Sequence, residues 1–199
     1  MLHASIKEGL ALVEGRASRR TSVLANAGIA QGGREGLGRI RNVSTGGMCI
    51  QTSLTLVVGQ PASVTFQSGA IVDCEVRWVR NRHAGLSCDT DPRPALGTPA
   101  DDRRPALPRF NRQLPIELAV QGRAYTCTLD SISTCDILAT DAPMLVRGQL
   151  LSVAVDGLAL LPAVVRISAE GELYARFSTP LAFAALDAWL ARDFDPSRP

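Results

Sequence analysis

Three arginines stand together in Arg16-Ala17-Ser18-Arg19-Arg20, and shortly after them comes Asn42-Val43-Ser44-Thr45-Gly46-Gly47. Guanidinium groups suit phosphate, because two parallel N–H donors meet two oxygens and the flat face stacks on a base. Asn42 and Ser44 supply short polar groups for a base edge or a phosphate. Gly47 permits a positive φ and lets a ligand come close to the backbone. Each cluster alone has a plainer account. A charge run is commonly solvated surface, and Asn, Ser and Gly are ordinary β-turn residues. Arg77, in Val76-Arg77-Trp78, is a further cation that strand alternation could turn toward the same pocket, although exposed arginines on strands are common.

Little else in the chain suggests chemistry. The two histidines are His3, near the start, and His83, in a strand-connecting turn beside Arg80 and Arg82. Asp73 and Glu75 share a strand face, where paired carboxylates are usually surface charges. There is no nucleophile elbow, phosphate-cradling lysine loop or metal quartet, so the expectation is a protein that is not an enzyme, with no catalytic residues. The five cysteines, Cys49, Cys74, Cys88, Cys127 and Cys135, show no Cys-x-x-Cys spacing, and no metal or cofactor is expected. No apolar run of signal-peptide length lies between Met1 and Arg20, so the expected location is cytoplasmic, with free thiols. No stretch reaches the roughly 18 apolar residues of a membrane span. A net charge of +2 and 5% aromatic residues argue against nucleic acid as a partner.

The elements that must position these residues are short β-branched runs ended by Gly, Pro or Asn. In the first half they read as strands over 22–29, 38–43, 47–52, 62–67, 71–80 and 85–88. In the second half they read as strands over 114–120, 124–129, 136–140, 149–155, 159–167 and 173–177. Val72, Cys74, Val76 and Trp78 alternate with more polar neighbours and are expected on one buried face. Ile6, Leu10 and Val13 have helical spacing. Thr179-Pro180 predicts a helix N-cap and first turn, and Phe183, Leu186 and Leu190 then follow with helical period, so this helix is expected on the second domain.

The halves also repeat one another at a constant separation of 89 residues. Ser44 corresponds to Ser133, Gly59 to Gly148, Ser63-Val64 to Ser152-Val153, and Val76-Arg77 to Val165-Arg166. A Pro-, Asp- and Arg-rich stretch separates them, which divides the chain into a domain over 1–92, a linker over 93–106 and a second domain over 107–199. Six short strands per half suit a small closed or nearly closed barrel.

Arg16-x-x-x-Arg20 before the first strand, Asn42-x-Ser44-x-x-Gly47 in a turn, then Val76-Arg77-Trp78 and Gly85-Leu86-Ser87-Cys88 together resemble the PilZ family, over about residues 14–90. The resemblance implies an all-β chain of two small six-stranded antiparallel β-barrels in tandem, with a C-terminal helix on the second. It implies a bacterial receptor for the second messenger cyclic di-GMP, binding through the first barrel and relaying the signal to an effector protein. Arg16 and Arg20 would clamp phosphates and stack on guanine, Asn42 and Ser44 would hydrogen-bond the ligand, and Gly47 would leave room. Arg19 and Arg77 would be auxiliary cations. The implied partners are cyclic di-GMP, an effector protein and, if the chain self-associates, a second copy, with no membrane insertion. The alternative is an adaptor that uses the same barrel for protein contacts without a ligand.

The second half loses most of this pattern. Ser131 replaces Asn42, Asp136 replaces Gly47, and Arg109 and Arg112 stand three apart rather than four. A carboxylate at 136 would repel a diphosphate and fill the space that glycine leaves open. This half is expected to be a degenerate copy with a structural or partner-binding role.

Overall fold

Apolar side chains at alternate positions close six strands around each of two cores. A computed structural model describes residues 21–97 and 108–192. Arg16, Arg19 and Arg20, and the helical spacing of Ile6, Leu10 and Val13, lie outside the described residues. The first barrel comprises β1 (Thr21–Gln31), β2 (Arg34–Ser44), β3 (Gly47–Thr52), β4 (Pro61–Phe66), β5 (Ile71–Arg80) and β6 (His83–Cys88). Its order is β1-β2-β3-β6-β5-β4, closed by pairing of β4 with β1. The second comprises β7 (Phe110–Val120), β8 (Arg123–Ile132), β9 (Asp136–Thr140), β10 (Leu150–Ala154), β11 (Leu161–Ala169) and β12 (Glu172–Phe177), in the equivalent closed order. All neighbouring strands run antiparallel. A short 3-10 turn, Arg93–Leu96, follows the first barrel, and its Ala95 is buried against that barrel's core.

The 89-residue repeat extends to irregular features. Register breaks between Ser22 and Ala25, Ile40 and Asn42, and Val76 and Trp78 recur between Asn111 and Leu114, Leu129 and Ser131, and Val165 and Ile167. Hairpin tips at Gly32-Gly33 and Asn81-Arg82 recur at Gln121-Gly122 and Glu170-Gly171, all with positive φ at both residues. Such turns match the twist of the flanking strands.

Two expectations are corrected here. Trp78 does not continue the buried row of Val72, Cys74 and Val76. The bulge at Arg77 shifts the register by one, which turns Trp78 to the outer face opposite Gly85, where it is 45% exposed. The helix, α1, runs Phe183–Leu190 and has no side-chain N-cap. Thr179-Pro180 does not start it, because the Leu181 N–H donates to the Thr134 carbonyl at 2.7 Å and holds that segment out of the helix.

Helix α1 also does more than cover the second barrel. Leu186, Trp189 and Leu190 sink into that barrel's core, while Asp187 faces the first. The Asp187 carboxylate accepts hydrogen bonds from Ser53 at 2.5 Å and from Arg82 at 2.7 Å. The Arg39 guanidinium lies 4.4 Å from the Phe183 ring centroid, and Leu37 of β2 is buried in the second barrel's core. The ion pair is lopsided: the Asp187 side chain is 5% exposed and that of Arg82 is 60% exposed. Removing the cation strands a buried charge, whereas removing the carboxylate releases an arginine to water. Arg82→Ala should therefore destabilise the chain more than Asp187→Ala, although both delete the same bridge. Urea denaturation of the two variants checks this, and equal losses would contradict it.

Candidate functional site

The β2–β3 turn brings Asn42, Ser44 and Gly47 together. Asn42 pairs with Cys49 across the strands, and the Ser44 hydroxyl donates to the Gly47 carbonyl at 3.2 Å, tightening the turn. The far wall is the β5–β6 pair. Together they line an open cavity of about 370 Å³, with Asn42, Ser44 and Gly47 on one side and Arg77, Trp78 and Gly85 on the other. Its size falls within the usual range of small-molecule sites. Among the described residues, none that lines it carries a carboxylate.

Several placements bear on the sequence reading. Gly47 has no positive φ. A Cβ there would stand 2.2 Å from the Leu86 carbonyl oxygen, so glycine is required by the close approach of β6 rather than by backbone conformation. Arg77 does line the cavity, and its guanidinium is held by Glu75 at 2.7 Å with much of the side chain exposed. Trp78 was not singled out as a site residue in the sequence. Its indole lies directly on Gly85, where a Cβ would stand 2.0 Å from Nε1. The signal was an aromatic facing a glycine across two strands, which the bulge concealed.

The same place in the second barrel is full. Asp136 stands where the first barrel has Gly47, and Tyr174 where it has Gly85. The Asp136 side chain is fully buried. It accepts hydrogen bonds from the Ser133 hydroxyl at 2.7 Å and the Tyr174 hydroxyl at 3.2 Å, and it is ion-paired with Arg109. Arg109 further donates from Nε to the Ser131 hydroxyl and from a terminal nitrogen to the Ser131 carbonyl, both at 3.1 Å. Arg109 follows Arg20 by the repeat distance of 89 residues. Arg109 thus reaches the counterparts of Asn42 and Gly47, while Ser133, the counterpart of Ser44, holds the same carboxylate. Asp136 does not act as an unbalanced repulsive charge, as the sequence suggested, because Arg109 neutralises it. Arg112 is elsewhere, in a cleft of about 610 Å³ between the barrels with Arg34 and Glu35. Burial there pushes its guanidinium below the ordinary value, with Glu35 opposing the shift.

Burial, then the nearby Asp136 charge and its hydrogen bond, push the Tyr174 phenol from its ordinary 10 up to about 12. The neutral phenol is the form favoured by folding. Its contribution is complete below about pH 10 and is lost as pH rises through about 12. In a Tyr125→Phe variant, where Tyr174 is the only tyrosine, tyrosinate absorbance should develop with a midpoint near 12. A midpoint at the ordinary value would mean that the hydroxyl is not held against Asp136.

Comparison with known proteins gives one family. Residues 14–97 match the family described as PilZ domain. No curated protein matches the chain. Among solved structures, the PlzA protein of Borreliella burgdorferi in complex with c-di-GMP is 9% identical, with 85% of this chain and 88% of that one covered and a TM-score of 0.38. The MrkH–c-di-GMP complex of K. pneumonia is 16% identical, with 83% and 85% covered and a TM-score of 0.32. YcgR of Escherichia coli in complex with c-di-GMP is 13% identical, with 84% and 82% covered and a TM-score of 0.35. At these scores the likeness is one of outline.

Proposed function

From a chain whose residues 14–97 are a PilZ domain, we infer a receptor that binds cyclic di-GMP through its first barrel and passes the signal to an effector protein. The observation that carries this reading is the contrast between the barrels. One cradle is open, lined by Asn42, Ser44 and an exposed indole, with no carboxylate among the described residues that line it. Its counterpart is closed by an internal Asp136–Arg109 pair that takes up the anion and cation positions a phosphate ligand would use. Arg20, by its place in the repeat, is the residue to occupy the role of Arg109, with a ligand phosphate taking the place of the carboxylate. Arg16 supplies the second clamp and Arg19 a spare charge. Arg77 would bring a further guanidinium to the rim. Trp78 offers a flat apolar face for guanine, a contact worth about 1–3 kcal/mol per stacked base. The second barrel, joined to the first through α1, then serves as the surface toward the effector.

Calorimetric titration of cyclic di-GMP into the intact chain tests this. Micromolar or tighter binding is expected, with quenching of the exposed Trp78 while Trp189, 1% exposed, is spared. Absence of binding by the folded chain would overturn the receptor reading and leave the ligand-independent adaptor.

A further inference from the structure

Two thiols that the site does not use lie against each other in the first barrel. Cys74 on β5 and Cys88 on β6 are direct partners across the antiparallel pair. Their sulfurs are 2.8 Å apart, and each residue is only 7% exposed. Directly paired Cα atoms in an antiparallel sheet stand about 4.5–5.5 Å apart, inside the roughly 4.4–6.8 Å that a disulfide spans. No backbone movement is needed to join them. The equivalent pair in the second barrel is Ala163 and Phe177, also direct partners. One small and one large apolar side chain therefore satisfy the packing of that position, and the first barrel answers the same demand with two thiols.

We propose that Cys74 and Cys88 form a modification site, closing to a cross-strand disulfide with hydrogen peroxide as oxidant. The near-complete burial of both residues selects a small oxidant over a bulky one such as glutathione disulfide. The two sulfurs share a hydrogen bond, and this contact pulls the Cys88 thiol below its ordinary value. Cys88 is thus the attacking thiolate. It attacks one peroxide oxygen. The O–O bond breaks, hydroxide leaves and is protonated to water, and Cys88 becomes a sulfenic acid. Cys74, losing its proton, then attacks the Cys88 sulfur. The S–S bond forms, the S–O bond breaks, and a second hydroxide leaves as water. Two thiols give up two electrons and two protons, and the peroxide takes them. The product pins β5 to β6 beside Ser87 and three residues from Arg77, both of which line the cavity.

The test uses the full chain, exposed to hydrogen peroxide, then denatured and alkylated for intact-mass and peptide analysis. The expected product loses the mass of two hydrogens and leaves Cys49, Cys127 and Cys135 alkylated. A Cys74–Cys88 cross-linked peptide should appear and be abolished by dithiothreitol. The unfolding midpoint should rise by about 10 °C and fall back on reduction, because the bond removes conformational entropy from the unfolded chain. The double variant Cys74→Ala/Cys88→Phe copies the packing of the second barrel and should fold without either change. Five alkylated thiols after peroxide, or oxygen addition at these cysteines without a cross-link, would overturn the proposal.

Discussion

Arg20→Ala is expected to weaken cyclic di-GMP binding by roughly 10- to 150-fold, the loss of a charged hydrogen bond worth about 1.5–3 kcal/mol. The expectation comes from the second barrel. There Arg109, at the same point of the repeat, grips a buried carboxylate and the hydroxyl and carbonyl of Ser131. In the first barrel the carboxylate is missing, and a ligand phosphate would complete the set. Asn42→Ala removes a neutral partner and should cost less, about 0.5–1.5 kcal/mol. Arg112→Ala serves as the control. Although Arg112 stands near Arg109 in sequence, it faces the cleft between the barrels, and its loss should leave the affinity unchanged. Calorimetry on the three variants at one ionic strength separates these outcomes. An affinity unmoved by Arg20→Ala would remove the clamp from the proposed site, and a loss confined to Arg112→Ala would move the site to the cleft.

Arg109→Ala should cost the second barrel about 3–5 kcal/mol. The pair it breaks is buried on both sides, with side-chain exposures of 11% for Arg109 and 0% for Asp136. Ser133 and Tyr174 would still donate to Asp136, but its buried ion pair with Arg109 would be lost. The substitution therefore forfeits more than one hydrogen bond. Replacing both partners together by apolar side chains of similar volume should cost far less, because no charge is then left buried. Chemical denaturation of the single and double variants distinguishes the cases. A loss below about 1 kcal/mol in Arg109→Ala would mean that water reaches Asp136.

Much of the architecture could be read from local signals. Bounds at 47–52, 71–80 and 136–140 match strands β3, β5 and β9, because turn-forming or polar residues flank each run of apolar alternation. Strand β2 begins at Arg34, earlier than the expected 38: Arg34 and Glu35 are an exposed hairpin end, and Leu37 is buried in the second barrel's core rather than its own, so no alternation toward one core marks this segment. The repeat was visible because equal folds place equal demands at equal spacing. Its full extent, down to shared bulges and hairpin tips, emerged only when partner strands were paired.

The tandem all-β plan, the turn that carries Asn42, Ser44 and Gly47, and the loss of that pattern in the second half are legible along the chain. These depend on residue type, period and spacing along the chain. Folding in three dimensions is what sets Arg109 against Asp136, joins the barrels through Asp187 with Arg82 and Ser53, and brings Cys74 to Cys88. It also decided that one extra residue, Arg77, turns Trp78 outward onto Gly85. Each of these rests on residues brought together by strand register or helix docking. A register shift of one residue exchanges the faces of a strand, so local pattern alone does not specify which side chains meet.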